Sequence, residues 1–238
     1  MSTCLERRGR TMKILWQQIP SPLVSEILCN GNEDGVVLDL EHAVFNPETI
    51  YGCIQVIQLK GKLAFVRTPP DEKTLVRHAL DTGCDGVIFS TIEEEEKAKE
   101  LLSTVRFPPD MGRRGLGLVR DNLWGQKGVP LRKPIAVAQI ETTRGVSNLN
   151  DRKLDGFDYY LIGPYDLSLS VGCPGDFHNP DLEEHLKRFE ESLPPEKRGF
   201  HIVNNYQENF QKYESWGLLA FGLDTLMIQQ GVKEVEKL

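Results

Sequence analysis

The strongest constraint on this chain is an alternation. Short runs rich in Val, Ile, Leu and Phe recur along it, each followed by a mixed polar and apolar segment long enough for a helix. The runs predict strands at residues 12–16, 35–40, 62–67, 85–89, 135–140, 157–162, 199–203 and 218–223. Residues 22–29, 47–59, 72–82, 92–105, 143–149, 182–192, 207–216 and 225–237 predict helices, several opening on Pro or acidic residues as helix N-termini favour. No hairpin signal joins consecutive runs, so the strands should be parallel and linked by helical crossovers. Eight such units in 238 residues fit a closed (β/α)8 barrel, a fold that takes about 200–250 residues as one unit. An open doubly wound sheet would usually show G-x-G-x-x-G or a P-loop after its first strand, and neither is there. The expected division is an N-terminal extension over residues 1–11 and a single barrel domain over 12–238.

Charge and composition narrow the partners. With 28 Lys and Arg against 35 Asp and Glu, the formal charge is −7, and no basic stripe offers a surface for nucleic acid or an anionic membrane. No apolar run approaches the roughly 20 residues of a membrane span, and the start is too polar for a secretory leader, so a cytoplasmic protein is expected. The five cysteines, Cys4, Cys29, Cys53, Cys84 and Cys173, are scattered without the close spacing of a zinc or redox motif. They read as thiols in a reducing compartment.

A barrel carries its active site at the carboxyl ends of its strands. The second predicted strand ends in Asp39-Leu40-Glu41-His42, the third in Arg67, the fifth in Gln139-Ile140-Glu141, and the sixth is followed by Gly163-Pro164-Tyr165-Asp166. Glu141 and Asp166 would repel across the mouth unless a basic residue or a divalent cation lay between them, and an all-oxygen pair suits Mg²⁺ or Mn²⁺ better than zinc. Each could equally cap the helix that follows it. Asp39 and His42 could form a general base of fixed tautomer, or His42 could serve only as a structural hydrogen-bonding group. Arg67 ends an apolar run and needs an anion, which could be a structural carboxylate or a substrate. No lysine stands at a strand end suited to a Schiff base. The long irregular stretch 106–133, rich in Gly and Pro, is longer than filler usually is and is expected to be functional.

Together these residues resemble the class II pyruvate aldolases of the HpcH/HpaI family. The likeness runs from about Met12 to the end through Leu38-Asp39-Leu40-Glu41-His42, Val66-Arg67, Leu80-Asp81-Thr82-Gly83, Phe107-Pro108-Pro109 with Gly112-Arg113-Arg114-Gly115, Gln139-Ile140-Glu141-Thr142 and Ile162-Gly163-Pro164-Tyr165-Asp166. The resemblance implies a TIM barrel of the phosphoenolpyruvate/pyruvate-binding type. It also implies a lyase that reversibly cleaves a 4-hydroxy-2-oxo acid to pyruvate and an aldehyde through a metal-stabilised enolate. Glu141 and Asp166 would bind the metal, Mg²⁺ or Mn²⁺ with Co²⁺ also admitted. Arg67 would stabilise the enolate oxygen, His42 oriented by Asp39 would act as acid and base, and Gln139, Gly163 and Pro164 would bind the ketoacid. Asp81 would influence the site, from a neighbouring subunit of a homo-oligomer that the family makes a hexamer or trimer. Residues 43–45 and 123–125 would contact the aldehyde half.

Two other readings follow from the same residues. Asp39-Leu40-Glu41-His42-Ala43-Val44 resembles the D-L-E-D-A-V segment of citrate-lyase-β-like and malyl-CoA-lyase-like enzymes, which act on CoA thioesters, but with His where that group has Asp. A barrel that binds a small ketoacid without catalysis is the third reading; it gives no reason for so many polar groups to converge.

Overall fold

A computed structural model describes residues 10–127 and 133–238. Eight parallel strands close into a barrel in chain order. They are β1 (Met12–Gln17), β2 (Gly35–Asp39), β3 (Leu63–Thr68), β4 (Gly86–Phe89), β5 (Ile135–Ile140), β6 (Tyr159–Ile162), β7 (Arg198–Ile202) and β8 (Leu218–Phe221). The ring shuts where Met12 pairs with Leu218. Around it lie α1 (Pro22–Leu28), α2 (Pro47–Leu59), α3 (Lys73–Asp81), α4 (Glu95–Val105), α5 (Thr143–Asn150), α6 (Pro164–Val171), α7 (Pro180–Ser192), α8 (Tyr206–Tyr213) and α9 (Asp224–Val235). The strands expected from the apolar runs are all present, with ends shifted by a residue or two. Helix α6 was not among the expected helices; it stands between β6 and α7, so the sixth crossover holds two helices.

Strand periodicity sorts the apolar residues into two layers. One parity, Ile14, Trp16, Val37, Phe65, Ile88, Val137 and Leu161, fills the barrel bore. The other parity, including Val36, Leu38, Val66, Val87 and Ala138, faces the helices. Gly86 shows how tight the bore is: a Cβ there would stand 2.4 Å from the Phe65 ring, so the ring occupies the space a side chain would need. Asn46 and Thr142 cap α2 and α5 through side-chain acceptors, and Pro opens α1, α2, α6 and α7.

Cys29, Cys53 and Cys84 are buried and Cys173 is half-buried. Cys4 and most of the extension expected at residues 1–11 lie outside the described residues, as does 128–132 of the long loop. No helix among the described residues is long and apolar enough to cross a membrane.

Candidate active site

The parity that packs the bore also builds the mouth. Continuing Val37, Phe65, Ile88 and Val137 by one inward step toward the carboxyl end gives Asp39, Arg67, Ser90 and Gln139, with Glu141 a further step along. Polar residues at these positions are held over an apolar floor. Trp16 forms much of that floor, with the Arg67 guanidinium 4.9 Å above its ring and His201 stacked 4.4 Å away. His201 is buried, and burial holds its ring down to about 4, so it is neutral, with Nε2 3.0 Å from the Gly222 carbonyl.

Arg67 is fixed on three edges. Its Nε and Nη2 donate to Asp39 Oδ1 and Oδ2 at 2.9 and 2.6 Å, and Nη1 lies 3.1 Å from Glu41 Oε2. Burial alone would raise the Asp39 carboxyl, but hydrogen bonding and charge from Arg67, with help from Gln18, bring it down to about 2. Gln18 donates to Asp39 Oδ2 at 3.1 Å, while the Gln18 and Ile19 N–H groups are held at 2.9 Å by the buried Asp224. The rim therefore tracks from the start of α9 through β1 to β2 and β3.

The Asp39–His42 pair takes another form than expected. Asp39 accepts the main-chain N–H of His42 at 3.2 Å, as it does that of Glu41, but its oxygens are committed to Arg67 and Gln18. The His42 ring is 59% exposed, with Nε2 3.8 Å from Glu41 Oε2. The acid nearest the ring is thus Glu41, whose Oε1 is held by Ser90 Oγ at 2.6 Å.

Glu141 is buried, and one of its oxygens, Oε1, takes the Thr91 N–H at 2.7 Å and the Thr91 hydroxyl at 2.6 Å. The other, Oε2, is buried without a hydrogen-bond partner, and so is Gln139 Oε1. Burial pushes the Glu141 carboxyl up to about 7; the Thr91 hydrogen bonds oppose this, while the charges of Asp166 and Glu41 add to it. Asp166 is exposed in the first turn of α6. Gly163, just before that helix, is a close-approach position: a Cβ would fall 2.8 Å from both Glu141 Oε2 and Gln139 Nε2.

This donor set suits a hard cation. Asp39, Glu41, Glu141 and Asp166 bring four carboxyls to the mouth against the Arg67 guanidinium, and Glu141 Oε2 has no hydrogen-bond partner. Among the described residues no three His, Cys, Asp or Glu side chains gather as a metal-binding group. A cation at Glu141 Oε2 could also draw on Asp166, whose charge acts on Glu141, and would take its remaining positions from water or substrate.

Asp81 lies against the long loop. Asp81 is the last residue of α3, and its carboxyl, raised mainly by burial, sits 3.8 Å from Arg114. Because the loop joins the end of α4 to the start of β5, it begins and ends at the amino end of the barrel. There Arg114 donates to the Leu80 carbonyl at 3.0 Å and Arg120 to the Thr82 carbonyl at 2.7 Å. Trp124 lines a cavity of about 510 Å³ with Tyr51, His78 and Asp81 on the outer face of α2 and α3. Within one chain Asp81 and Trp124 line this cavity, which also takes Pro47 and Glu48 at the start of α2. Val44, in the 43–45 segment expected to contact the aldehyde half, is 92% exposed beyond His42.

Glu41, Ser90, Thr91, Gln18 and Asp224 were not singled out in the sequence. Ser90 and Thr91 directly follow the fourth apolar run, so the strand-end rule that found Arg67 would have found them.

The model of the HpcH/HpaI aldolase/citrate lyase family matches residues 12–226. A hydroxypyruvate/pyruvate aldolase from Delftia acidovorans is 28% identical over 233 residues, covering 94% of this chain and 86% of the relative. A 2-keto-3-deoxy-L-rhamnonate aldolase from Klebsiella pneumoniae is 28% identical, covering 94% and 87%. Among solved structures, an HpcH/HpaI aldolase/citrate lyase family protein from Burkholderia cenocepacia superimposes with a TM-score of 0.87 at 23% identity over 99% of this chain and 98% of that one.

Proposed function

Since the chain belongs to the HpcH/HpaI aldolase/citrate lyase family and is a carbon–carbon lyase by the named aldolases it matches, we propose that it reversibly cleaves a 4-hydroxy-2-oxo acid to pyruvate and an aldehyde with the help of a divalent cation. The observation that carries this reading is Glu141 Oε2, a buried carboxylate oxygen without a partner at the carboxyl end of β5. Glu141 and Asp166 would hold the cation. Bound there, Mg²⁺ or Mn²⁺ supplies Lewis-acid polarisation of the keto and carboxylate oxygens of the substrate.

The chain's own groups supply the rest. Retro-aldol cleavage removes the proton of the 4-hydroxyl, breaks the C3–C4 bond and leaves an electron pair on the pyruvate fragment, which is then protonated at C3. Arg67, immobilised by Asp39, presents its guanidinium to the oxygen that gains negative charge, at no cost in reorganisation. His42, exposed at the rim beside Glu41, accepts the hydroxyl proton directly or through one water and returns it in the condensation direction. The Gly163 N–H is spent on the Ile140 carbonyl at 3.2 Å and Pro164 has none, so the Tyr165 and Asp166 N–H groups, in the first turn of α6 that Gly163 and Pro164 open, receive the carboxylate of the ketoacid, where a helix start favours an anion. Gln139, whose amide faces Gly163, steadies the same fragment. Asp81 would act only on the mouth of another copy, in a homo-oligomer.

The test is pyruvate release, read through lactate dehydrogenase, from a panel of 4-hydroxy-2-oxo acids. Activity should require Mg²⁺ or Mn²⁺, vanish with EDTA and be lost in Glu141→Gln. Turnover that survives EDTA, or that survives Glu141→Gln, contradicts the metal reading.

A further inference from the structure

Two consecutive hydroxyl residues, Ser90 and Thr91, directly follow β4, and no step above uses them. Thr91 has φ +50°, in the left-handed region. For a β-branched residue this is a genuine outlier, with a cost on the order of 1–3 kcal/mol. The conformation has a local consequence: it turns the Thr91 N–H and the Thr91 hydroxyl toward the same oxygen, Glu141 Oε1, at 2.7 and 2.6 Å.

The two oxygens of a carboxylate are chemically equivalent, and the terminal torsion of Glu is broad. An unheld Glu141 could therefore present either oxygen, or turn edge-on. With both Thr91 donors spent on Oε1, Oε2 alone is left free, and it is the oxygen against which Gly163 omits a side chain. Ser90 treats Glu41 in the same way, holding Oε1 at 2.6 Å while Oε2 faces Arg67 Nη1 at 3.1 Å. One dipeptide thus divides each of two acids into a held oxygen and a working oxygen.

We propose that Thr91 is a positioning residue that latches Glu141 Oε1 so that Oε2 is presented to the divalent cation. The proposal rests on the metal reading above and adds to it the group that orients the ligand.

The test is calorimetric titration of Mn²⁺ into the metal-stripped full chain, comparing wild type, Thr91→Ser, Thr91→Val and Thr91→Gly. Thr91→Ser keeps the hydroxyl and should bind Mn²⁺ as the wild type does. Thr91→Val keeps the shape and loses the hydroxyl, and its Kd should rise by about 10–100-fold, the usual effect of removing a group that orients a metal ligand. Thr91→Gly guards against a folding failure in Thr91→Val, because Gly is at ease at this φ; it should fold and show the same weakening. The metal-free melting temperatures should not track these affinities, as they would if Thr91 were merely structural. Wild-type Mn²⁺ affinity in Thr91→Val or Thr91→Gly, with binding by the wild type intact, overturns the latch alone. Absence of Mn²⁺ binding by the wild type overturns the metal reading, and the latch with it.

Discussion

The two ends of the barrel differ in whether every buried acid is paired. At the amino end, Asp34, Asp85 and Asp158 stand just before β2, β4 and β6. Their carboxylates accept the main-chain N–H groups of Lys13, Ala64 and Ala136, at the starts of the preceding strands, at 2.8, 2.9 and 2.8 Å. Asp34 also takes Arg10, and Asp85 takes the Gln58 amide at 2.9 Å. These acids fasten strand to strand. Arg114 at that end has guanidinium nitrogens without hydrogen-bond partners, but the group rests 4.7 Å over the Phe107 ring. At the carboxyl end Glu141 Oε2, Gln139 Oε1 and Thr68 Oγ1 are buried and unpartnered. Each such atom costs about 1–3 kcal/mol. Asp39 and Asp224 at the carboxyl end are paired as the amino-end aspartates are, so the cost at the mouth falls on Glu141, Gln139 and Thr68, where a ligand would offset it.

Mutations at the two ends should separate accordingly. Arg67→Lys removes the fork that spans Asp39 and Glu41, and kcat should fall by about 10²–10³-fold with the fold retained; near-wild-type turnover would remove Arg67 from the chemistry. Gly163→Ala puts a methyl 2.8 Å from Glu141 Oε2 and Gln139 Nε2. Displacing those groups should lower kcat/KM by up to about 10²-fold, again with little change in denaturant midpoint. Asp85→Ala should do the reverse. Loss of the acceptor for Ala64 and Gln58 should destabilise the chain by about 1–3 kcal/mol in urea unfolding, with kcat/KM of the folded protein unchanged. A loss of activity without loss of stability in Asp85→Ala would break the distinction.

Much of this was legible in the chain. The alternation of apolar runs with helical segments carries the barrel because each run must bury both faces. The rim residues were legible because strand parity places Asp39, Arg67 and Gln139 once the strands are located. Helix α6 was not, because Pro164–Val171 follows β6 within two residues and the stronger pattern at 182–192 already supplied the crossover. Of the long loop only the ends were legible, because a segment from α4 to β5 starts and finishes at the amino end. The pairing of Asp39 with Arg67 rather than with the His42 ring was not legible either, since spacing cannot say which of two neighbours a carboxylate will prefer. A bidentate guanidinium outcompetes an imidazole that can remain in water.

The central claim is that Glu141 is a buried carboxylate left incomplete by the protein itself, and its most direct test is unfolding of the metal-free chain. A carboxyl raised from 4.5 to about 7 holds its proton in the folded state across that window while the unfolded chain has lost it. Wild-type stability should therefore fall as pH rises through it. Glu141→Gln has no proton to lose. Between pH 4.5 and pH 8 the stability of the variant relative to wild type should grow by about 3 kcal/mol, the equivalent of that shift. Parallel pH profiles for the two proteins would show that Glu141 is already satisfied and would contradict the account.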